Sequence, residues 1–405
     1  MNSSNTTISN LQYFMLLLGS TVAFGHFIYS HLIIDYAGRD GWLSVMLFGI
    51  LALGMAFLLT RLAVLQEKRS LVQHVGYVWG QWTQVVLGVM YTVYFLLIGA
   101  LTIHLLGSFL GVIYPRTPRE IWLLFLSIAV IWAMYAGLEV LSRSVLLLLP
   151  LLFVLGILAT LLAMPDRDYT QLLPVLYDGF LPVLRGTLVL VTMVSEMVVF
   201  NMFTPDVQHR ERLVKQGFIV ALLLTVMYLG PIAGPVMIFG ETVARTLSYP
   251  TFAELQYLDA KPILERLDLL GIILWAFGSF FRISVFGIGA MRAITDLSNT
   301  ARTNTYAIPV ALLMLALGLL MPMDRAKDFA FLSTTYPIIS MVLGLGLPLV
   351  LLISTWIKGA LSPRPPAGQA GAAGAAGAAG AGAAGAAGPQ AGPQAGPQAG
   401  PQAQR

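Results

Sequence analysis

Leu16-Leu17-Leu18-Gly19-Ser20-Thr21-Val22-Ala23-Phe24-Gly25-His26 is an apolar stretch interrupted by two glycines and two hydroxyls. It lies in the middle of a run, residues 11–34, that is long enough to cross a bilayer, where about 20 mostly apolar residues suffice. Glycine weakens a helix and permits close backbone approach. Such residues persist at membrane depth when they pack against a neighbouring helix or line a cavity. The stretch is therefore either a helix-packing face or a broken helix beside a polar site.

The rest of the chain supports a membrane setting. Of 405 residues, 57% are hydrophobic and only 10% charged, whereas a soluble domain carries about 25% charged residues. A water-soluble globule cannot hide that much apolar surface, so lipid is the solvent for most of it. The formal charge is +4. Its Lys and Arg residues sit in short loops between apolar runs, so the basicity reports topology, and no nucleic-acid partner is expected. Cysteine is absent, which excludes thiolate chemistry and disulfides. Residues 1–10 carry no charged side chain and show no small-residue cleavage site, so the first span is expected to be retained rather than cleaved as a signal.

Apolar runs predict an all-α membrane protein of about ten helices. The first five spans cover residues 11–34, 42–60, 85–113, 121–141 and 144–164; the second five cover 186–204, 216–240, 267–290, 306–321 and 337–358. A polar stretch, residues 165–185, separates the two groups of five. Basic residues divide almost evenly between the two sides. The dense clusters Lys68-Arg69 and Arg210 to Lys215 lie on the side of the termini, which are therefore expected in the cytoplasm. Three parts follow: an N-terminal cytoplasmic segment 1–10, a transmembrane domain 11–360, and a tail 361–405. The tail is Ala, Gly, Pro and Gln without large apolar side chains and is expected to be disordered. The segment from Arg61 to Gly80 reads as a short helix at the membrane surface.

Few polar groups lie inside spans, where an ionised side chain costs about 2.5–3.5 kcal/mol or more. Glu196 sits in the sixth span and Arg282 in the eighth, with opposite charges. They are expected to face the bundle interior and interact directly or through water, as pocket or gating groups. Ser20, Thr21 and Gly25 on the first span, Tyr94 on the third and Ser195 on the sixth complete the candidate substrate-binding set. His26, His31 and His104 either carry protons or are satisfied interhelical hydrogen-bonders. Tyr91 and Tyr94 either reach the pocket or mark the membrane interface. Gly-rich phosphate loops, nucleophile elbows and metal-ligand spacings are missing. No enzyme activity, catalytic residue, metal or cofactor is expected.

Specific segments resemble the spore germination permeases. These are the B subunits of nutrient germinant receptors, within the amino acid/polyamine/organocation transporter superfamily. Ala37-Gly38-Arg39-Asp40-Gly41-Trp42 is similar to that family's Ala-Gly-x-Asp-x-Trp segment after the first span. Leu172-Leu173-Pro174-Val175-Leu176 resembles its loop before the sixth helix. Ser195-Glu196 with Pro205 beyond resembles a Gly-Glu and later Pro, and Leu264-Glu265-Arg266-Leu267-Asp268 its entry to the eighth helix. The chain departs from the pattern at Ser30, where proline is usual, at Ser195, where glycine is usual, and in its tail.

The resemblance implies a five-plus-five inverted-repeat bundle of the leucine-transporter kind. Its central site would lie between helices one, three, six, eight and ten. It also implies A-type and C-type receptor subunits as partners, a spore inner membrane location, and a small nutrient ligand, here expected to be amino-acid-like. The corresponding function is a germinant receptor subunit that binds this nutrient at the bilayer midplane and triggers spore germination. The alternative is a proton-coupled amino acid permease in which Glu196, His104 and Arg282 relay protons or gate.

Overall fold

The computed structural model describes residues 7–24, 28–259, 268–298, 300 and 302–361. The expected tail and the Leu264–Asp268 motif, except Asp268 itself, fall outside them, as do Gly25 and His26.

The first half contains α1 (Asn10–Phe24), α2 (Ser30–Ala37), α3 (Gly41–Leu65), the short α4 (Leu71–Trp79), α5 (Gln81–Ile113), α6 (Arg119–Ala136) and α7 (Leu138–Ala163). The second contains α8 (Phe180–Ser195), α9 (Leu213–Thr246), the short α10 (Pro250–Asp259), α11 (Asp268–Ser298), α12 (Ala307–Leu320), α13 (Arg325–Ser333), α14 (Thr335–Met341) and α15 (Leu347–Leu361). The halves correspond in order. Each places a short helix, α4 or α10, between its second and third spans. Among the described residues no strand forms; a single isolated bridge joins Ile8 to Val207.

Nine helical stretches of the described residues are long and apolar enough to cross a membrane. Ten spans were expected. The difference lies in the first, of which α1 contributes 15 described residues up to Phe24, while α2 belongs to the stretch that continues into α3. On α7, Leu147, Leu151, Val154, Leu158 and Leu161 recur every three or four residues and are all exposed. On α6, Leu124, Phe125, Ile128, Trp132 and Tyr135 form a similar stripe. Helices apolar on both their packed and their outer faces belong in lipid. The expected surface helix is shorter than residues 61–80, because α3 continues to Leu65. Ser70 then caps α4 in a reciprocal capping box with Gln73, which satisfies two otherwise orphaned backbone donors.

The Ala-Gly-x-Asp-x-Trp segment is a clasp. Asp40 is buried, and its carboxylate accepts from the Leu176 backbone N–H at 3.0 and 3.1 Å. Arg39 Nε donates to Glu241 on α9 at 2.7 Å, and its Nη1 to the Leu173 carbonyl at 2.7 Å. Arg245 grips the same Glu241 at 2.8 Å and donates to the Asp35 carbonyl at 2.8 Å. Gly38 makes this possible. Its φ is +52°, and a Cβ there would lie 2.1 Å from Glu241 Oε1. One short turn thus ties α2 to the 165–185 linker and to α9.

Gly38→Ala is expected to destabilise the protein by about 1–3 kcal/mol, through left-handed backbone strain and displacement of Glu241. Thermal melts of purified protein in detergent check this; an unchanged midpoint would show that the clasp relaxes freely.

Candidate functional site

Helix α8 leaves α-geometry at Glu196. It ends at Ser195, and Glu196–Met202 continue as a 3₁₀ segment. The 3₁₀ form is tighter and has poorer hydrogen bonds, so a long run at membrane depth needs support from neighbours. Gly344 supplies part of it. The segment Val342–Gly346 is a π-helical turn between α14 and α15, and a Cβ at Gly344 would lie 2.2 Å from the Ser195 carbonyl oxygen. Tyr91, on α5, donates to the Leu343 carbonyl at 3.0 Å. Two irregular segments therefore meet backbone to backbone beside Glu196.

The centre of the bundle is an ion pair. Arg282 Nη2 on α11 bonds Glu196 Oε2, and the Tyr336 hydroxyl on α14 donates to Glu196 Oε1. All three side chains are 0% exposed. Arg282 Nε donates to Thr102 Oγ1 on α5 at 3.1 Å, and the Thr102 hydroxyl donates in turn to the Ile98 carbonyl at 2.7 Å. Arg282 Nη1 reaches the Ser20 carbonyl on α1 at 3.4 Å, and the guanidinium lies 5.1 Å from the Phe286 ring centroid. Both carboxylate oxygens thus receive a donor, and each guanidinium nitrogen meets an acceptor. Such satisfaction is what makes a buried pair tolerable, since desolvation otherwise exceeds the Coulombic gain.

Helix α1 contributes backbone. The Thr21 carbonyl accepts from the Tyr228 hydroxyl of α9 at 3.3 Å. Thr21 Oγ1 donates to the Leu17 carbonyl at 2.7 Å and sits 3.1 Å from Met197 Sδ. Tyr29 and Tyr94 are buried within electrostatic reach of Glu196 and Arg282.

The structure brings together most of the residues singled out by sequence. Glu196 and Arg282 pair directly, Ser20 offers its carbonyl, and Thr21 and Tyr94 flank the pair. Ser195 turns inward on itself, its hydroxyl bonding the Thr192 carbonyl. Gly25 lies outside the described residues. His104 does not join this cluster: its Nε2 bonds Asp328 on α13 at 2.9 Å, so a direct Glu196–His104 relay is not what the geometry shows. His31 is likewise committed, to the Leu247 carbonyl at 2.7 Å with its ring stacked on Phe329. Tyr91 and Tyr94 are interior residues, not interfacial ones. Sequence reading missed Tyr336, Thr102 and Tyr228. A buried tyrosine in an apolar run looks like any belt tyrosine until its hydroxyl acquires a partner.

A family model for spore germination proteins matches residues 7–326. The chain belongs to the spore germination protein family. Spore germination protein XB of Bacillus anthracis is 26% identical over 358 residues, covering 87% of this chain and 98% of that one. Spore germination protein KB of Bacillus subtilis (strain 168) is 25% identical over 288 residues, covering 70% and 77%. Among solved structures, MhsT in complex with L-phenylalanine superposes with a TM-score of 0.65 at 16% identity, over 87% of this chain and 99% of that one. Mhp1, a nucleobase-cation-symport-1 family transporter, gives 0.66 at 10% identity, over 87% and 80%. These likenesses establish a multi-pass membrane protein with the leucine-transporter-like, five-plus-five helical fold. The family is permease-like and is not a class of enzymes.

In this germination-family protein, removing one partner of the central pair is expected to cost about 3–5 kcal/mol, because the other charge is left buried and alone. Glu196→Gln and Arg282→Met should each lower the melting midpoint and the membrane yield. The double variant Glu196→Leu/Arg282→Met should recover most of both. Additive losses in the double variant would rule out energetic pairing.

Proposed function

We propose that this protein is the B subunit of a nutrient germinant receptor and that an amino-acid-like nutrient binds at the Glu196–Arg282 pair, triggering spore germination. The reading is carried by one observation: a fully buried, fully bonded ion pair where α1, α5, α8, α11 and α14 converge. It is supported by family membership and by the fold shared with transporters, one of them solved with L-phenylalanine.

A zwitterion suits such a site. An amino acid brings a carboxylate and an ammonium at fixed separation. Its carboxylate takes the planar fork of Arg282, as carboxylates do, and its ammonium takes Glu196. The net charge of the site stays the same, so insertion adds no unpaired charge to the membrane interior. Ser20, Thr21, Tyr94 and Ser195 are buried beside the pair and would line the space that a ligand opens there. Entry must part α11 from α8 and α14, and a ligand that binds only the parted form shifts the equilibrium towards it. That shift is the signal, received by A-type and C-type receptor subunits in the spore inner membrane. Both termini face the cytoplasm in this arrangement, and the Ala/Gly/Pro/Gln tail is a spacer.

Arg282→Lys tests the site. Lysine preserves the charge opposite Glu196 but lacks the bidentate fork, so half-maximal germination should require about 10-fold more amino acid, for about 1.4 kcal/mol lost. Spores carrying the variant at wild-type protein level are titrated against a nutrient panel. An unchanged dose response to every nutrient would refute binding at the pair. Uptake into reconstituted vesicles that follows an imposed pH gradient would assign the protein as a proton-coupled permease instead.

A further inference from the structure

Between α1, α7, α9, α10 and α11 runs a cleft of about 490 Å³, well within the size range of small-molecule sites. It is distinct from the central pair. Its walls are apolar, with Leu152, Phe153 and Ile157 from α7, Val226 from α9 and Trp275 from α11. Ile157 and Val226 at the mouth are exposed, and both continue the apolar outer faces of membrane-spanning helices. The mouth therefore opens to lipid. Two glycines keep it open. A Cβ at Gly156 would meet nothing within 4 Å, and one at Gly230 only Thr160 Oγ1, at 4.0 Å.

One end of the cleft is charged. Arg167, just past α7, bonds Glu254 of α10 at 2.8 Å through Nη2, and the two side chains are 7% and 6% exposed. Arg167 Nε is buried and finds no acceptor among the described residues. Leaving a buried donor unmet costs as much as losing a hydrogen bond, and the cleft that Arg167 lines is where an acceptor can arrive. An apolar slot open to the bilayer with an unmet donor at the depth where a span ends matches one kind of molecule.

We propose that the cleft holds one acyl chain of a membrane glycerolipid, with an oxygen of its head region accepting from Arg167 Nε. The chain lies between α7 and α9, replacing a void that would forfeit dispersion contacts on every side. The head region remains at the interface, where the Arg167–Glu254 pair sits. The inner wall of the cleft includes Gly19 and Gly278. Gly19 directly precedes Ser20, whose carbonyl meets Arg282, and Gly278 lies about one helical turn before Arg282. An occupied cleft thus braces α1 and α11 behind the central pair and makes the protein's response depend on the surrounding lipid.

The test uses full-length protein in vesicles of phosphatidylethanolamine and phosphatidylglycerol doped with phosphatidylglycerol carrying a photoreactive diazirine tail, followed by peptide mapping. Crosslinks should concentrate on residues 152–161 and 223–230. Gly156→Trp, whose side chain enters open space, should cut labelling there several-fold. Gly54→Trp, also in open space but away from the cleft, should leave it unchanged. Arg167→Lys keeps a charge for Glu254 but lacks Nε, and should reduce labelling if the head region is held as described. Melting curves of each variant certify folding. Labelling spread evenly over the outer faces of α6, α7 and α12, or cleft labelling that Gly156→Trp leaves intact in folded protein, would overturn the proposal.

Discussion

A guanidinium and a carboxylate, both sealed from water inside a bilayer, constrain this structure more than any other contact. Neither can stay without the other, and together they still need further partners. Thr102, Ser20 and Tyr336 are those partners, drawn from α5, α1 and α14. Two irregular segments gather at the same place, the 3₁₀ start at Glu196 and the π-helical turn at Val342–Gly346. In lipid, freed backbone groups must be met by protein, and here tyrosine hydroxyls meet them at Thr21, Leu343 and Phe200. Polar side chains and broken helices support one another at the midplane.

Much of this was readable from the chain. Apolar runs located the spans because membrane length leaves little choice. Glu196 and Arg282 stood out because a charge at that depth is costly, and cost is visible in a single sequence. The Ala-Gly-x-Asp-x-Trp resemblance found a physical meaning in the clasp at Asp40 and Arg39, where Gly38 turns with positive φ close against Glu241. Other features were hidden. Nothing in Tyr336 distinguishes it from an interfacial tyrosine, and nothing near His104 in the sequence names Asp328, 224 positions away, as the partner of its ring nitrogen. The 3₁₀ segment follows a sequence without glycine, so no local signal announced it; the glycine that lets another backbone lie against its start is Gly344, 148 positions later in the chain.

The two halves carry their irregularities unequally. In the first, α1 stays α-helical through Gly19, Ser20 and Thr21. In the second, the first span turns to 3₁₀ geometry at Glu196. An inverted repeat is thus preserved as architecture while its two first spans differ in backbone and in chemistry. This is why the resemblance between halves is easier to see in helix order than in residues.

At the start of the described chain, Ile8 donates its N–H to the Asp206 carbonyl at 2.8 Å and accepts from Gln208 N–H at 3.2 Å, while the Asn10 amide clamps the His209 backbone from both sides. The foot of α1 is therefore fastened to the segment beyond Glu196 by two main-chain bonds and by the Asn10 side chain. The main-chain half of this latch asks only for an amide hydrogen at positions 8 and 208, but Ile8 and Val207 are buried and Asp206 pairs with Arg292, so little sequence drift is open there. Two different losses would each unhook one side: the amide at position 10, or a main-chain hydrogen at position 8.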